Sequence, residues 1–453
     1  MAIESNLKTP GVYINEISLF PPTVAQVETA IPAFIGYTQS DSTGGVPTRI
    51  TSLLEYETLF GSVASQQGIE LTVTDENSSP IKFNFTANKG PVINSFLYYS
   101  VQMYFINGGG PCYIVSAGLD TAAPTQTGLN TALQKLEAFD EPTLIVIPDA
   151  TKLTDDTEAY GLMNNALDQC AKLQDRFTII DVKVNTDIAT SSLNFRDVIN
   201  GDIEKAKYGA AYFPNLKTTL AFNFSDDAQV TVVSKGTLDS FKTTDNALYN
   251  KVKAALNTVK IELPPSGAVA GLYASVDASR GVWKAPANVQ ITSIVGPSLV
   301  VTDTDQRDLN VDPIGGKSIN AIRFFTGKGT LIWGARTLAG NDSEWKYVPV
   351  RRLFITVEES VKKASARFVF EPNDANTWTK VRAMIENYLT LLWRDGALAG
   401  AKPEHAFFVK VGLGQTMSAQ DILDGRMIVE IGMAAVRPAE FIILRFSHKM
   451  QES

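Results

Sequence analysis

Residues 144–182 read LIVIPDATKLTDDTEAYGLMNNALDQCAKLQDRFTIIDV. Two short β-type runs, Leu144–Pro148 and Thr178–Val182, enclose a stretch of different rhythm. Within Asp156–Leu173, the residues Tyr160, Met163, Leu167, Cys170 and Ala171 fall at helical spacing and make one apolar stripe. Strand–helix–strand is the unit of parallel sheets, because parallel neighbours need a long crossover between them. The alternation continues on both sides. Cys112–Ser116 and Gly209–Phe213 read as strands, while Thr127–Phe139 and Ser192–Ile199 have helical spacing. The expected fold is an α/β layer with a largely parallel sheet.

Further out, Ala30–Tyr37 reads as a buried strand and Asn94–Ile106 as an aromatic-rich helix capped by Asn94 or Ser95. Thr74–Pro91 is polar and turn-rich, a surface hairpin or loop; Thr219–Val233 reads as a β insertion and Asp245–Ile261 as a helix. Residues 264–315, rich in Pro, Gly, Ser, Asp and Thr, read as a connecting region. A second compact unit follows, of α+β type. It has strands at Gly329–Trp333, Phe407–Val411 and Arg426–Met433, and helices at Val357–Arg367 and Thr377–Trp393. In the last helix Val381, Ile385, Tyr388 and Leu392 line one face, Asn376 caps the start and Gly396 stops the end. A length of 453 residues is itself more than one core normally serves.

The net charge of −8 argues against a nucleic-acid partner, which needs a basic surface. The charge is unevenly placed. Residues 316–453 carry 19 Lys/Arg and 14 Asp/Glu, a balance of +5, against 21 and 34, or −13, in residues 1–315. The basic C-terminal part suggests an acidic neighbour. No apolar run is long enough to span a bilayer, and residues 1–8 do not resemble a secretory signal, so assembly in the cytoplasm without membrane insertion is expected. Cys112 and Cys170 read as buried reduced thiols.

An α/β layer invites a nucleotide-site reading, and its signatures fail one by one. Gly316-Lys317-Ser318 ends like a phosphate loop, but Val311 stands where the opening glycine is required. Gly412-Leu413-Gly414 starts like a dinucleotide fingerprint, but Met417 holds the third glycine position. His405 and His448 have no metal-ligand spacing, and Ser266 in Pro264-Pro265-Ser266-Gly267 reads as a turn residue. No catalytic, cofactor or metal residue is assigned. A nucleotide-binding α/β enzyme remains the different-class alternative.

Both ends are strand-like instead of polar: Thr9-Pro10-Gly11-Val12-Tyr13-Ile14-Asn15-Glu16-Ile17 and Phe441-Ile442-Ile443-Leu444-Arg445-Phe446. Such ends complete a sheet, either their own or a neighbour's.

Several stretches, in order, resemble the tail sheath family of contractile phage tails and related injection particles. They are Thr9–Ile17 with Val27–Thr38, Asn107–Val115, Pro264–Gly271 and Arg280–Asn288 in the first part of the chain. Val348–Ile355, Phe370–Asp374 and Leu392–Leu398 complete the set. The resemblance implies an arm at 1–20, an outer domain at 21–315 with its β insertion near 217–235, an inner tube-facing domain at 316–438, and an arm at 439–453. It also implies a helical homo-oligomer of six-fold rings around an inner tube protein, with baseplate and terminal cap proteins as partners. Val12, Tyr13, Ile14, Ile442, Leu444 and Phe446 are expected between subunits. Lys362, Lys363 and Arg367, on the face opposite Val361, Ala364 and Phe368, are expected to touch the tube. The opening looks most like the injection-particle branch, a particle released from the cell or anchored at its envelope; a phage tail sheath is the alternative.

Overall fold

The computed structural model describes residues 23–443. They form two compact units, residues 28–356 with 437–443 and residues 23–27 with 357–436. The larger is built on a nine-stranded sheet. Its order is Val289–Gln290, Gly329–Ile332, Ile319–Phe325, Gly209–Phe213, Phe177–Asp181, Leu144–Val146, Pro32–Thr38, Cys112–Leu119, Thr48–Ile50. All five pairings from Ile319–Phe325 to Cys112–Leu119 are parallel. Strands at either margin pair antiparallel. Four central strands are buried at every residue. That is why their sequences show continuous apolar runs and no alternation.

The Asp156–Leu173 helix spans the predicted residues, with the Asp155 carboxylate accepting from Thr157 N–H at its start. A different helix, Ser266–Arg280, occupies what read as a connecting region. Every residue from Ser266 to Tyr273 is buried, so no polar face exists to create a helical rhythm. This helix packs on Leu97–Ile106 at very short range. A Cβ on Gly267 would strike the Ser100 backbone, and one on Gly271 the Tyr104 carbonyl. Glycine is required there for approach.

Two buried carboxylates join distant parts of this unit. Asp149 accepts from the backbone N–H of Tyr37 at 2.8 Å and of Phe96 at 2.6 Å. Ser95 Oγ lies 2.7 Å from both an Asp149 oxygen and the Tyr37 carbonyl, and its one proton cannot serve both. Asp181 accepts from Ser266 N–H at 2.8 Å and from its hydroxyl, fastening the start of the Ser266–Arg280 helix to a central strand. Burial raises Asp149 to about 6 and Asp181 to about 7, against the opposing pull of these donors.

The polar hairpin and the β insertion fold together. Strands Gly236–Thr237, Val230–Val232, Ile69–Asp75 and Lys82–Phe85 form a separate four-stranded sheet in that order. Helix Asn246–Leu256 adds Leu248, Val252 and Leu256 to a second core with Ile69, Leu71, Val230 and Val232.

The boundary between the units falls at 356/357, inside the Val348–Ser365 helix, and not at 315/316. Residues 316–438 therefore do not form one body. Ile319–Phe325 and Gly329–Ile332 are absorbed by the large sheet, because Ile319–Phe325 pairs directly with Gly209–Phe213. The Val348–Ser365 helix also begins nine residues before the predicted start, with Pro349 in its first turn where a missing N–H costs nothing. Its Arg352 makes a buried two-point ion pair with Asp277. In the smaller unit, helix Ala375–Arg394 buries Val381, Ile385, Tyr388 and Leu392 as predicted, but Asp374 caps it instead of Asn376.

Two outcomes follow. Gly271→Ala should cost about 1–3 kcal/mol through overpacking, read as a lower melting temperature; an unchanged melting point refutes the close-approach account. Because the folded Asp149 and Asp181 hold protons that the unfolded chain (pKa about 3.9) has released, their stabilising contribution is full below about pH 4 and lost as pH rises through 6 to 7. Urea unfolding at pH 5 and pH 8 should differ by about 1–3 kcal/mol less in Asp181→Asn than in the parent chain. An equal difference refutes it.

Candidate functional site

In the smaller unit, Phe407–Lys410 and Glu430–Met433 pair antiparallel in four register positions, Phe407 with Met433 through Lys410 with Glu430. Val409 is buried and packs this sheet toward the Ala375–Arg394 helix, while Phe408 lies across Gly432. The pairing runs on past Met433, where Ala399 N–H donates to Ala434 C=O at 2.7 Å and Val436 N–H to Ala397 C=O at 3.1 Å. Among the described residues no further strand joins this sheet. A two-stranded sheet is marginal alone, and its outer rows of N–H and C=O groups are a template for added strands.

In the larger unit, the C-terminal stretch is held at Glu440. Its carboxylate accepts from Arg336 Nε at 2.9 Å and Nη2 at 2.7 Å, from Asn310 Nδ2 at 2.7 Å and from Tyr347 O–H at 3.1 Å. Burial opposes the Glu440 charge, but these donors and the guanidinium outweigh it and hold the carboxyl below its usual range. Beyond that anchor the chain is apolar and open to solvent: Phe441, Ile442 and Ile443 are 72%, 78% and 79% exposed. Three consecutive exposed large apolar side chains are a surface awaiting cover.

Of the sequence-predicted arm residues, Ile442 is found in this exposed segment. Val12, Tyr13, Ile14, Leu444 and Phe446 lie outside the described residues. The basic trio differs from expectation. Lys362 and Lys363 both reach back to Glu359, at 3.1 and 3.2 Å, and are not an uncompensated basic face. Arg367 is exposed but sits beyond the α-helix, on the 3-10 turn Ala366–Phe368. The anchor of Glu440 escaped sequence reasoning, since it joins residues 104 positions apart and no local pattern marks it.

The residues weighed earlier for chemistry have structural roles. Lys317 N–H donates to Asp312 Oδ2 at 3.1 Å and the Lys317 ammonium to the Arg196 carbonyl, while Ser318 Oγ donates to Asn310 C=O at 2.7 Å. Ser266 is not a turn residue; it opens a helix and bonds Asp181. Cys112 and Cys170 are buried free thiols, both pushed upward in pKa by burial, Cys170 to about 12. Among the described residues no cluster of His, Cys, Asp and Glu suits a metal ion, and no helix is long and apolar enough to cross a membrane.

An open-edged sheet and an exposed apolar segment are features to which a further strand or apolar surface could be added. Comparisons with known proteins point to a structural sheath protein. The phage tail sheath protein central domain matches residues 122–338, and the phage tail sheath C-terminal domain matches residues 340–449. The anti-feeding prophage sheath in its contracted state is 34% identical, with 98% of this chain and 99% of that chain covered at a TM-score of 0.66. The contracted sheath of the extracellular contractile injection system PVC is 32% identical, with 98% of each chain covered and the same TM-score. The tail sheath protein of Burkholderia phage BcepMu is 30% identical over 158 residues, 33% of this chain and 31% of its own. That of Vibrio phage KVP40 is 25% identical over 185 residues, 41% of this chain and 26% of its own. This chain thus aligns with under a third of the length of those two phage proteins. The chain belongs to the phage tail sheath family.

Proposed function

We propose that this chain is the sheath subunit of a contractile injection particle. Copies assemble as helical rings around an inner tube of a different protein, in a metastable extended state templated by a baseplate and closed by a terminal cap protein. On release each subunit re-buries surface against its neighbours and the shortening sheath drives the tube through a target membrane. Assembly takes place in the cytoplasm, before the particle is released or anchored at the envelope. The observation that carries this reading is the pairing of an open-edged two-stranded sheet with the exposed Phe441–Ile443 segment in one chain. The smaller unit is assigned to the inside of the sheath, the larger to the outside, and the arms 1–20 and 439–453 to neighbouring subunits. Main-chain hydrogen bonds formed by strand addition tie copies together while letting the units shift.

No bond chemistry is required. If contraction buries about 200 Å² more apolar surface per subunit, at about 25 cal/mol/Å² each supplies about 5 kcal/mol. Summed over many coupled subunits, a fraction of this drives a tube forward. Tube contacts must release easily, and exposed ion pairs of about 0–1 kcal/mol suit that need. Lys362, Lys363 and Arg367 stay candidates for them on exposure alone, with the two lysines sharing their charge with Glu359.

An injection particle is favoured over a phage tail by 32% and 34% identity to two injection-system sheaths over 98% of this chain. Overexpressed protein viewed by electron microscopy should form helical tubes. Replacing Ile442 and Leu444 with Asp, or deleting residues 1–17, should abolish the tubes and leave folded monomer. Normal tubes from both variants would overturn strand exchange, and discrete particles from the parent chain would favour an enzyme.

A further inference from the structure

The anchor at Glu440 does not end at its four donors. Arg336 is almost wholly buried, and its Nη1 also donates to the Asn310 carbonyl at 3.1 Å. Its backbone is gripped from the other side. Arg336 N–H donates to Asn320 Oδ1 and Asn320 Nδ2 donates back to Arg336 C=O, both at 2.8 Å. Asn320 is fully buried in the Ile319–Phe325 strand, and its Nδ2 makes a further bond of 3.1 Å to the carbonyl of Ala211 on the neighbouring strand. An unbroken set of polar contacts therefore runs from the root of the C-terminal arm into two parallel strands at the middle of the large sheet.

Such a set is costly to bury and gives a directional, hard-to-stretch linkage. A carboxylate with four donors, placed one residue before an exposed apolar segment, fixes where that segment leaves the body. We propose that Glu440 is the mooring of the C-terminal arm, with Arg336 and Asn320 as positioning residues that pass tension on the arm into the central sheet. This rests on the strand-exchange reading above and assigns it a mechanical attachment point. The partner at the far end of the arm is a second copy of this chain. With the root fixed, displacement of a neighbour is transmitted to the body; with the root loose, slack residues absorb it.

The test uses the full chain with Glu440→Gln, which keeps size but loses charge and sets an amide N–H₂ against donors. The rotational correlation time of a nitroxide label on Ala439→Cys should fall at least about twofold, with amide hydrogen exchange in the Gly209–Phe213 and Ile319–Phe325 strands unchanged as the internal control for folding. Tubes should fail to form, or form and fall apart on dilution. Unchanged label mobility at the arm root overturns the mooring, as does higher mobility with tubes of normal stability. Glu440→Asp, which keeps the charge, should recover part of the immobilisation, and no recovery counts against an ionic mooring. Ile442→Asp separates the two ideas: it should leave the label at residue 439 immobile while abolishing tubes. If Ile442→Asp assembles normally the strand-exchange reading falls; if only Glu440→Gln assembles normally, the mooring alone falls.

Discussion

The constraint behind everything described is that backbone N–H and C=O groups at a sheet edge need partners. The large sheet limits this need, ending at both margins in short antiparallel strands, Val289–Gln290 and Thr48–Ile50. The small sheet of Phe407–Lys410 and Glu430–Met433 does not meet it among the described residues. Such an edge takes main chain, which another copy of the same sequence can supply without any side-chain code. This makes homo-polymerisation the natural completion of the fold.

How far the fold could be read depended on whether an element kept one face wet. Asp156–Leu173 and Ala375–Arg394 have both an apolar stripe and polar positions, and their spans and buried faces were legible. Ser266–Arg280 has no wet face over its first half, so glycine, alanine and serine looked like linker. The domain boundary was misplaced for a related reason. Ile319–Phe325 has the composition of any strand, and nothing local says that it pairs with Gly209–Phe213, a hundred residues earlier.

The exposed apolar segment was legible and its anchor was not. Phe441, Ile442 and Ile443 are conspicuous because large apolar residues stand where polar ones are usual, and they are indeed exposed. The Glu440 anchor was hidden, since a lone glutamate carries no sign of Arg336, Asn310 and Tyr347 converging on it. The ion pairs of two of the basic residues were signalled locally. Glu359 stands three and four residues before Lys362 and Lys363, the spacing at which helical ion pairs meet.

The satellite core shared by Ile69–Asp75 and Val230–Val232 couples two excursions that leave the chain far apart in sequence. Neither excursion can bury its apolar face without the other. Removing either excursion would therefore strip the apolar face of the other, so a truncation at one site should unfold a segment about 150 residues away in the chain while sparing the main sheet.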